Sequence, residues 1–316
     1  MVRSKLLYPL SLLYGKVVNF RNSFYDKKIL KSKKLPIPVI SVGNLSVGGT
    51  GKTSFVIYLA NLLKDKKICI LSRGYKRKTK GPQIVSEYGN IKLSWEEAGD
   101  EAYLLAKFLP FASVIVSEDR YKGGILALEK LSPEVIILDD GFQHRALYRD
   151  IDILMIKRED LRDYLLPAGR LREPLSSINR ADVIILTYQE VKPFDFYTGK
   201  PTFKMFREFI SLLNSNFEEV PIDILKDKEV IAFSGLGDNG QFREVLGKLN
   251  ISVKEFLSYR DHYDYKDFEP EEDEIYLTTP KDLVKLEGYK NIFALNFKVK
   301  VEREEKLKKL IYRIFC

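Results

Sequence analysis

A glycine-rich run near residue 45 has the composition and the lysine of a phosphate-binding loop. It reads Gly43-Asn44-Leu45-Ser46-Val47-Gly48-Gly49-Thr50-Gly51-Lys52-Thr53-Ser54. Glycines let backbone N–H groups turn toward phosphate oxygens, and the helix predicted to follow adds a partial positive charge. Lys52 is expected to reach the β- and γ-phosphates of a nucleotide, and the Thr53 hydroxyl to bind Mg²⁺. Ser46 replaces the first glycine of the strict pattern, but residues 46–54 together predict a nucleotide site.

Two adjacent carboxylates supply the acidic partner that such a loop needs. The apolar run 135–138 ends in Asp139 and Asp140. The carboxyl end of a parallel strand is where a nucleotide-bound Mg²⁺ lies, so we expect at least one of the two to bind the metal. The sequence contains no Asn/Thr-Lys-x-Asp motif of the guanine-binding type, which favours ATP over GTP.

The acid–base candidates are few, because the chain has only two histidines, His144 and His262. We hypothesise that Asp100 and His262 form a pair in which the carboxylate accepts or orients the proton of an acceptor hydroxyl and the imidazole tunes it. The alternative for Asp100, which follows Gly99, is a helix N-cap.

Other polar residues are assigned more loosely. Glu173 is predicted to join the Mg²⁺ shell, the alternative being a solvated loop acid. Arg73 is a candidate for neutralising phosphate charge, and the alternative is an ordinary surface arginine. Tyr75 is a candidate for stacking on adenine. Further candidates for contacts with substrate or phosphate are Asn44, Arg120, His144 and Arg172.

The elements that must position these residues follow an α/β pattern. Apolar runs alternate with segments of helical length over residues 35–200, which predicts a doubly wound, mostly parallel P-loop domain. The predicted strands are 37–42, 68–71, 113–116, 135–138, 151–156 and 183–186, and the predicted helices are 54–64, 97–109 and 120–131.

A second, smaller α/β domain is predicted over residues 207–292. Its strands are placed at 230–233, 275–278 and 292–297, and its helices at 241–249 and 281–286. The runs 202–206 and 293–299 bracket this unit and are predicted to pair as a two-stranded connector. Residues 302–316 are predicted to form a C-terminal helix that packs back on the first domain.

The first 34 residues carry the whole charge excess. They hold nine basic residues, beginning with Arg3, against one acid, and the net charge of the chain is +8. The remainder is neutral, which argues against nucleic-acid binding. The segment also has an apolar stripe at helical spacing, namely Leu6, Leu10, Leu13, Val17 and Phe20. A basic amphipathic helix of this kind predicts a membrane-surface anchor. The alternative is that the stripe packs on the protein body.

The two cysteines, Cys69 and Cys316, suggest neither a disulfide framework nor a metal site. We therefore expect a reducing compartment.

Several motifs together resemble those of the tetraacyldisaccharide 4′-kinase (lipid A 4′-kinase) family, over nearly the whole chain. They are Ser41-Val42-Gly43-Asn44 running into residues 47–53, Leu71-Ser72-Arg73-Gly74-Tyr75, Gly99-Asp100-Glu101, residues 139–144, Leu166-Pro167-Ala168-Gly169 and Leu171-Arg172-Glu173-Pro174. The resemblance implies transfer of the ATP γ-phosphate to the 4′-hydroxyl of an acylated glucosamine disaccharide 1-phosphate. It also implies a peripheral or monotopic position on the cytoplasmic face of the bacterial inner membrane, with no obligate protein partner.

Departures from the family pattern lie in the second domain. Asp261-His262-Tyr263 stands where the family tends to have Asp-His-His, Gly237-Asp238-Asn239 where it has Gly-Asn-Pro, and Thr279-Pro280-Lys281-Asp282 where it has Thr-Glu-Lys-Asp.

Two other functions fit part of the pattern. A membrane-recruited P-loop switch ATPase would carry a signature lysine at position 47, where this chain has Val47. A kinase for a small soluble metabolite has no need of the basic, apolar N-terminus.

Overall fold

A computed structural model of the chain describes residues 5–237 and 239–315, with the side chain of Lys5 left out. Three residues used in the sequence argument, Arg3, Asp238 and Cys316, lie outside the described residues.

The described residues form eight α-helices and fourteen strands. The strands are β1 (Val39–Asn44), β2 (Ile68–Ser72), β3 (Gln83–Glu87), β4 (Asn90–Ile91), β5 (Ser113–Val116), β6 (Val135–Asp139), β7 (Ile151–Ile156), β8 (Val183–Leu186), β9 (Thr202–Leu213), β10 (Glu219–Val220), β11 (Val230–Ser234), β12 (Val253–Ser258), β13 (Tyr276–Thr278) and β14 (Ile292–Val301). The helices are α1 (Tyr8–Asp26), α2 (Lys52–Leu62), α3 (Trp95–Ala98), α4 (Asp100–Phe108), α5 (Arg120–Leu131), α6 (Asn239–Lys248), α7 (Pro280–Leu283) and α8 (Glu304–Tyr312).

The strands make one continuous sheet. Its order is β12-β11-β13-β14-β9-β8-β7-β1-β6-β2-β5-β3-β4, with β10 paired to β9. From β8 to β5 neighbouring strands are parallel, and β9 runs parallel to β8 but antiparallel to β14. The long β9–β14 ladder therefore joins the sheet of the first half to that of the second.

The central strands are apolar on both faces because helices cover both sides. Every residue of β1, β2, β6, β7 and β8 is buried. Such strands are typical of a parallel sheet between helical layers. The predicted α/β class with a mostly parallel sheet is confirmed.

Some elements differ from the prediction in extent or were not predicted. Strand β9 continues to Leu213, well beyond the predicted end at 206, and β3, β4, β10 and β12 were not predicted. Strand β12 lies at the edge of the sheet, and its first residues, Val253, Lys254 and Glu255, are exposed. A polar edge strand lacks the apolar run by which a buried strand is found.

Helix α8 packs on α2, the helix that follows the phosphate loop. Leu307 and Ile311 are fully buried in the same core cluster as Phe55 and Leu59 of α2. The hydroxyl of Tyr58 donates to Glu304 Oε2 at 2.9 Å.

Helix α1 has its apolar stripe on the outside. Leu10, Leu13, Val17 and Phe20 are between 53% and 62% exposed. The buried positions are instead Ser11, Gly15, Val18 and Asn22. Within the described residues, no helix is both long and apolar enough to cross a membrane.

Candidate active site

The phosphate loop turns between β1 and α2, as the sequence predicts. Gly48 and Gly51 have φ angles of +97° and +77°, which favour glycine over other residues. Gly51 is the N-cap residue of α2, so Lys52, Thr53 and Ser54 occupy its first turn. Gly48 and Gly49 are exposed, and Thr50 is buried. The amide of Val47 donates to the carbonyl of Arg170 at 2.9 Å, which ties the loop to the segment around Arg172.

Lys52 lies in a compact network of charged and amide groups. Its Nζ donates to Asn44 Oδ1 at 3.0 Å and lies 3.5 Å from Asp140 Oδ1. Arg172 donates to both oxygens of Asp140 at 2.8 Å and also to the side chain of Asn44. Asn44 is fully buried, and it orients both cations from the end of β1. The structure thus brings together four residues that the sequence predicts for phosphate or metal binding.

Asp139 ends β6 directly beside this network. It pairs in register with Val42 of β1, and Oδ2 accepts a hydrogen bond from Ser72 Oγ at 2.9 Å. Burial raises the pKa of Asp139 to about 6, and the neighbouring charges of Glu101 and Asp140 add to this. A cation near the carboxylate would relieve both effects.

Asp140 has a different environment. Partial burial opposes its ionisation, but Lys52 and Arg172 outweigh that effect and hold the pKa well below its usual range.

The residues at this edge of the sheet fit Mg²⁺ bound together with nucleotide. No group of three or more His, Cys, Asp or Glu side chains within the described ranges forms a closed cation site. Mg²⁺ with nucleotides needs only one or two carboxylates, because phosphates and water complete its shell. Asp139 and the half-buried Thr53 suit that arrangement. Asp140 would share its oxygens with Arg172.

Glu173 has another environment than the one predicted for it. Its carboxylate, fully buried, accepts hydrogen bonds from Arg180 at 2.7 Å, from Ser177 at 2.9 Å and from Asn22 at 2.9 Å. The charge of Arg180 and the hydrogen bonds from all three partners hold the pKa of Glu173 below its usual range despite burial. The arrangement argues against the predicted place in a metal shell.

Arg73, Arg120 and His144 lie around the two aspartates. Burial lowers the pKa of Arg120, while the charges of Asp139 and Asp140 oppose this effect. Burial and then the charge of Arg120 lower the pKa of His144 to about 4, so His144 is neutral at pH 7. Arg73 is exposed.

Asp100 and His262 meet, although they lie in different halves of the chain. His262 Nδ1 is 2.7 Å from Asp100 Oδ2, and Lys285 Nζ is 3.1 Å from the same oxygen. Burial opposes ionisation of Asp100, but His262, Lys281 and Lys285 reverse the balance and hold its pKa well below the usual range. The cap of α4 is Gly99, and Asp100 Oδ1 accepts from the amide of Glu101. Asp100 is therefore the first residue of α4 and not its N-cap, so the N-cap alternative is wrong.

An aromatic cluster supports the loop that carries His262. Phe233, Tyr259, Tyr265, Phe268 and Tyr276 pack with ring centroids 4.8 to 6.5 Å apart. The ring of Tyr75 lies 5.1 Å from that of His262, centroid to centroid. Tyr75 therefore lies beside His262, and adenine stacking stays a prediction.

The family model described as tetraacyldisaccharide-1-P 4′-kinase matches residues 3–315. The chain belongs to this family. The resemblance inferred from the sequence motifs is confirmed.

Tetraacyldisaccharide 4′-kinases from several bacteria are similar to the chain over most of its length. The enzyme of Aquifex aeolicus (strain VF5) is 76% identical over 315 residues, covering 100% of both chains. The enzyme of Syntrophus aciditrophicus (strain SB) is 38% identical, covering 89% of this chain and 84% of that protein. A crystal structure of LpxK from Aquifex aeolicus in complex with ATP matches with a TM-score of 0.93 and 76% identity, covering 98% of each chain.

Two lysines near the pair of Asp100 and His262 were not predicted as site residues. Lys281 Nζ lies 3.3 Å from His262 Nε2, and Lys285 contacts Asp100. Lys281 belongs to the Thr279-Pro280-Lys281-Asp282 run noted above as a departure. The run drew attention to Lys281 in the sequence, but it gave no indication of which residue the lysine would contact.

Proposed function

We propose that the chain transfers the γ-phosphate of ATP to the 4′-hydroxyl of a tetraacyldisaccharide 1-phosphate, giving lipid IV-A in lipid A biosynthesis. The proposal rests on one observation. This member of the family has one set of residues suited to a nucleotide donor and another suited to an acceptor hydroxyl. A phosphate loop with Lys52 beside Asp139 and Asp140 is suited to the donor. A buried, ionised carboxylate paired to His262 is suited to the acceptor hydroxyl.

The proposed roles follow from charge and position. Lys52 neutralises the phosphate oxygens, because its ammonium lies at the start of α2, where the partial positive charge of the helix adds to its own. Mg²⁺, when bound by Asp139 or Asp140 and Thr53, would supply further charge neutralisation at the phosphates.

Asp100 accepts or orients the proton of the attacking hydroxyl. His262 holds the carboxylate through Nδ1 at 2.7 Å. His262 and the neighbouring lysines hold the pKa of Asp100 well below its usual range, so the carboxylate is ionised at neutral pH but is a weak base, which favours orienting the hydroxyl proton over removing it.

The lipid acceptor requires access to a membrane, and α1 has the surface for it. Its exposed residues Leu10, Leu13, Val17 and Phe20 form an apolar face, and the first 34 residues carry an excess of positive charge. Such a helix binds in the interface of an anionic leaflet. We place the protein peripherally on the cytoplasmic face of the bacterial inner membrane.

The experiment is transfer of labelled γ-phosphate from ATP to tetraacyldisaccharide 1-phosphate in detergent micelles with Mg²⁺. Wild type should label the lipid, and Lys52→Ala should lose at least ~10²-fold in rate, because it removes a charge from the transition state. Lys64→Ala, an exposed lysine just beyond the same helix, is the matched control and should retain activity. Hydrolysis of ATP without any labelled lipid would refute the proposal and favour the switch ATPase.

A further inference from the structure

The buried face of α1 is hydrogen-bonded to the segment 165–173. Ser11 Oγ accepts from the amide of Ala168 at 3.0 Å and donates to the carbonyl of Leu165 at 2.9 Å. Tyr14 Oη donates to the carbonyl of Arg172 at 2.9 Å. Gly15 has a close neighbour too, since a Cβ there would lie 2.7 Å from Leu165 Cδ1. The helix is therefore attached to this segment by specific contacts over about one turn.

The last of these contacts reaches the residue after Arg172. Asn22 Nδ2 donates to Glu173 Oε2 at 2.9 Å, and both side chains are buried. Without Asn22 the Glu173 carboxylate would keep Arg180 and Ser177 but lose one of its buried donors, which is costly, and the segment would shift to recover a partner. Asn22 and Tyr14 thus hold two consecutive residues of the segment, one through a side chain and one through the backbone.

The opposite side of the same segment contacts the phosphate machinery. The amide of Arg172 donates to the carbonyl of Leu45 at 2.6 Å. The guanidinium of Arg172 binds both oxygens of Asp140 and the side chain of Asn44, which in turn accepts from Lys52. Helix α1 therefore binds the backbone of Arg172, and the side chain of the same residue binds Asp140 and Asn44.

We propose that Tyr14 and Asn22 are positioning residues for phosphoryl transfer, which act by fixing Arg172 against Asp140 and Asn44. This inference rests on the proposed function. The helix that carries the membrane-facing surface then also sets the geometry at the phosphate loop. Bidentate pairs are sensitive to small displacements, and a shift of about 1 Å at such a group costs up to ~10²-fold in rate.

The test distinguishes positioning of Arg172 from anchoring of the protein at the membrane. Loss of positioning lowers kcat, whereas loss of anchoring raises the KM for the lipid. Tyr14→Phe removes one hydroxyl and Asn22→Ala one amide. Each should lower kcat by about tenfold, with the KM for the lipid and the binding to anionic phosphatidylglycerol vesicles unchanged. Tyr197→Phe, which removes the hydroxyl of a side chain that is 95% exposed, is the matched control and should behave as wild type. Circular dichroism establishes that each variant is folded, and Tyr14→Phe carries the test if Asn22→Ala is not.

A double-mutant cycle identifies the path through Arg172. In an Arg172→Ala background, Tyr14→Phe should produce no further loss of kcat, because the group it positions is gone. Independent, multiplicative losses would overturn the inference, as would a raised lipid KM with unchanged kcat. Absence of lipid phosphorylation by the wild type would refute the proposed function and the inference together. Multiplicative losses of kcat with an active wild type would refute only the inference.

Discussion

His262 Nδ1 lies 2.7 Å from Asp100 Oδ2, across 162 positions of sequence. The two residues come from opposite ends of the continuous sheet: Asp100 follows β4, and His262 follows β12. Their contact therefore depends on how the β9–β14 ladder places the second half of the chain against the first. A change in the relative position of the two halves would therefore change the distance between Asp100 and His262.

Loss of the pair should affect the chemical step more than nucleotide binding. We expect Asp100→Asn and His262→Ala each to lower kcat by about 10²- to 10⁴-fold, with the KM for ATP changed little, because the proton acceptor is lost or misplaced. Steady-state kinetics with lipid and ATP varied separately measure this. Asp273→Asn, an exposed carboxylate of the second half, is the control. Equal loss in the control, or near-normal kcat in Asp100→Asn, would contradict the role.

His144 should make folding stability depend on pH in a defined window. Its pKa in the folded protein is about 4, below the ordinary value of 6.5, so the unfolded chain binds more protons between these values. Stability should therefore fall as the pH is lowered from about 6.5 to 4. His144→Gln should reduce this fall, as measured by thermal unfolding at steps of half a pH unit. Parallel wild-type and variant curves would show that His144 does not titrate as described.

Gly43 should tolerate no side chain, because β1 and the loop after β6 touch there. A Cβ at Gly43 would lie 2.6 Å from Phe142 Cβ and 2.7 Å from the Phe142 backbone nitrogen. Gly43→Ala should cost about 1–3 kcal/mol in the free energy of unfolding, and it should lower kcat because it separates the phosphate loop from Asp139 and Asp140. Denaturant unfolding measures the first effect.

Gly247→Ala is the matched control for this substitution. Apart from its chain neighbours and the nearby backbone of its own helix, nothing lies within 4 Å of a Cβ built at Gly247, in α6. This variant should be unchanged or slightly more stable, because alanine favours helix. A Gly43→Ala protein as stable and active as the control would contradict the close approach.

The apolar face of α1 should control membrane binding without contributing to folding. Leu13→Asp combined with Val17→Asp should abolish sedimentation with anionic vesicles while leaving the melting temperature unchanged, because both side chains are largely exposed. Tyr197→Asp, at an exposed aromatic residue outside α1, should leave sedimentation intact. A large drop in melting temperature would mean that the face packs on protein instead.

The sequence predicted the buried framework well because burial leaves a pattern that can be read locally. Residues 113–116, 151–156 and 183–186 were predicted as strands with the bounds that the structure has. Strand β12 was missed because its exposed residues Lys254 and Glu255 interrupt the apolar run by which a buried strand is predicted.

Contacts between distant residues set the limit of prediction in the site. Asp100 and His262 were paired through the motifs in which they occur. Ser177 and Arg180 lie only four and seven positions after Glu173, but its third partner, Asn22, lies 151 positions before it, and no local spacing relates that pair. The Glu173 carboxylate, predicted to bind metal, is paired with the charge of Arg180 and accepts hydrogen bonds from Asn22 and Ser177.

The packing of α8 on α2 has a consequence for biosynthesis. Tyr58 and Glu304 touch, yet 246 residues separate them in the chain. A ribosome that adds about 5–20 residues per second needs roughly 10–50 s to cover that distance. Throughout that time the face of α2 that receives Leu307 and Ile311 has no partner. The nucleotide-binding half should therefore reach its final stability only after synthesis has passed residue 312, and nascent chains that stop earlier should be substrates for chaperones and proteases.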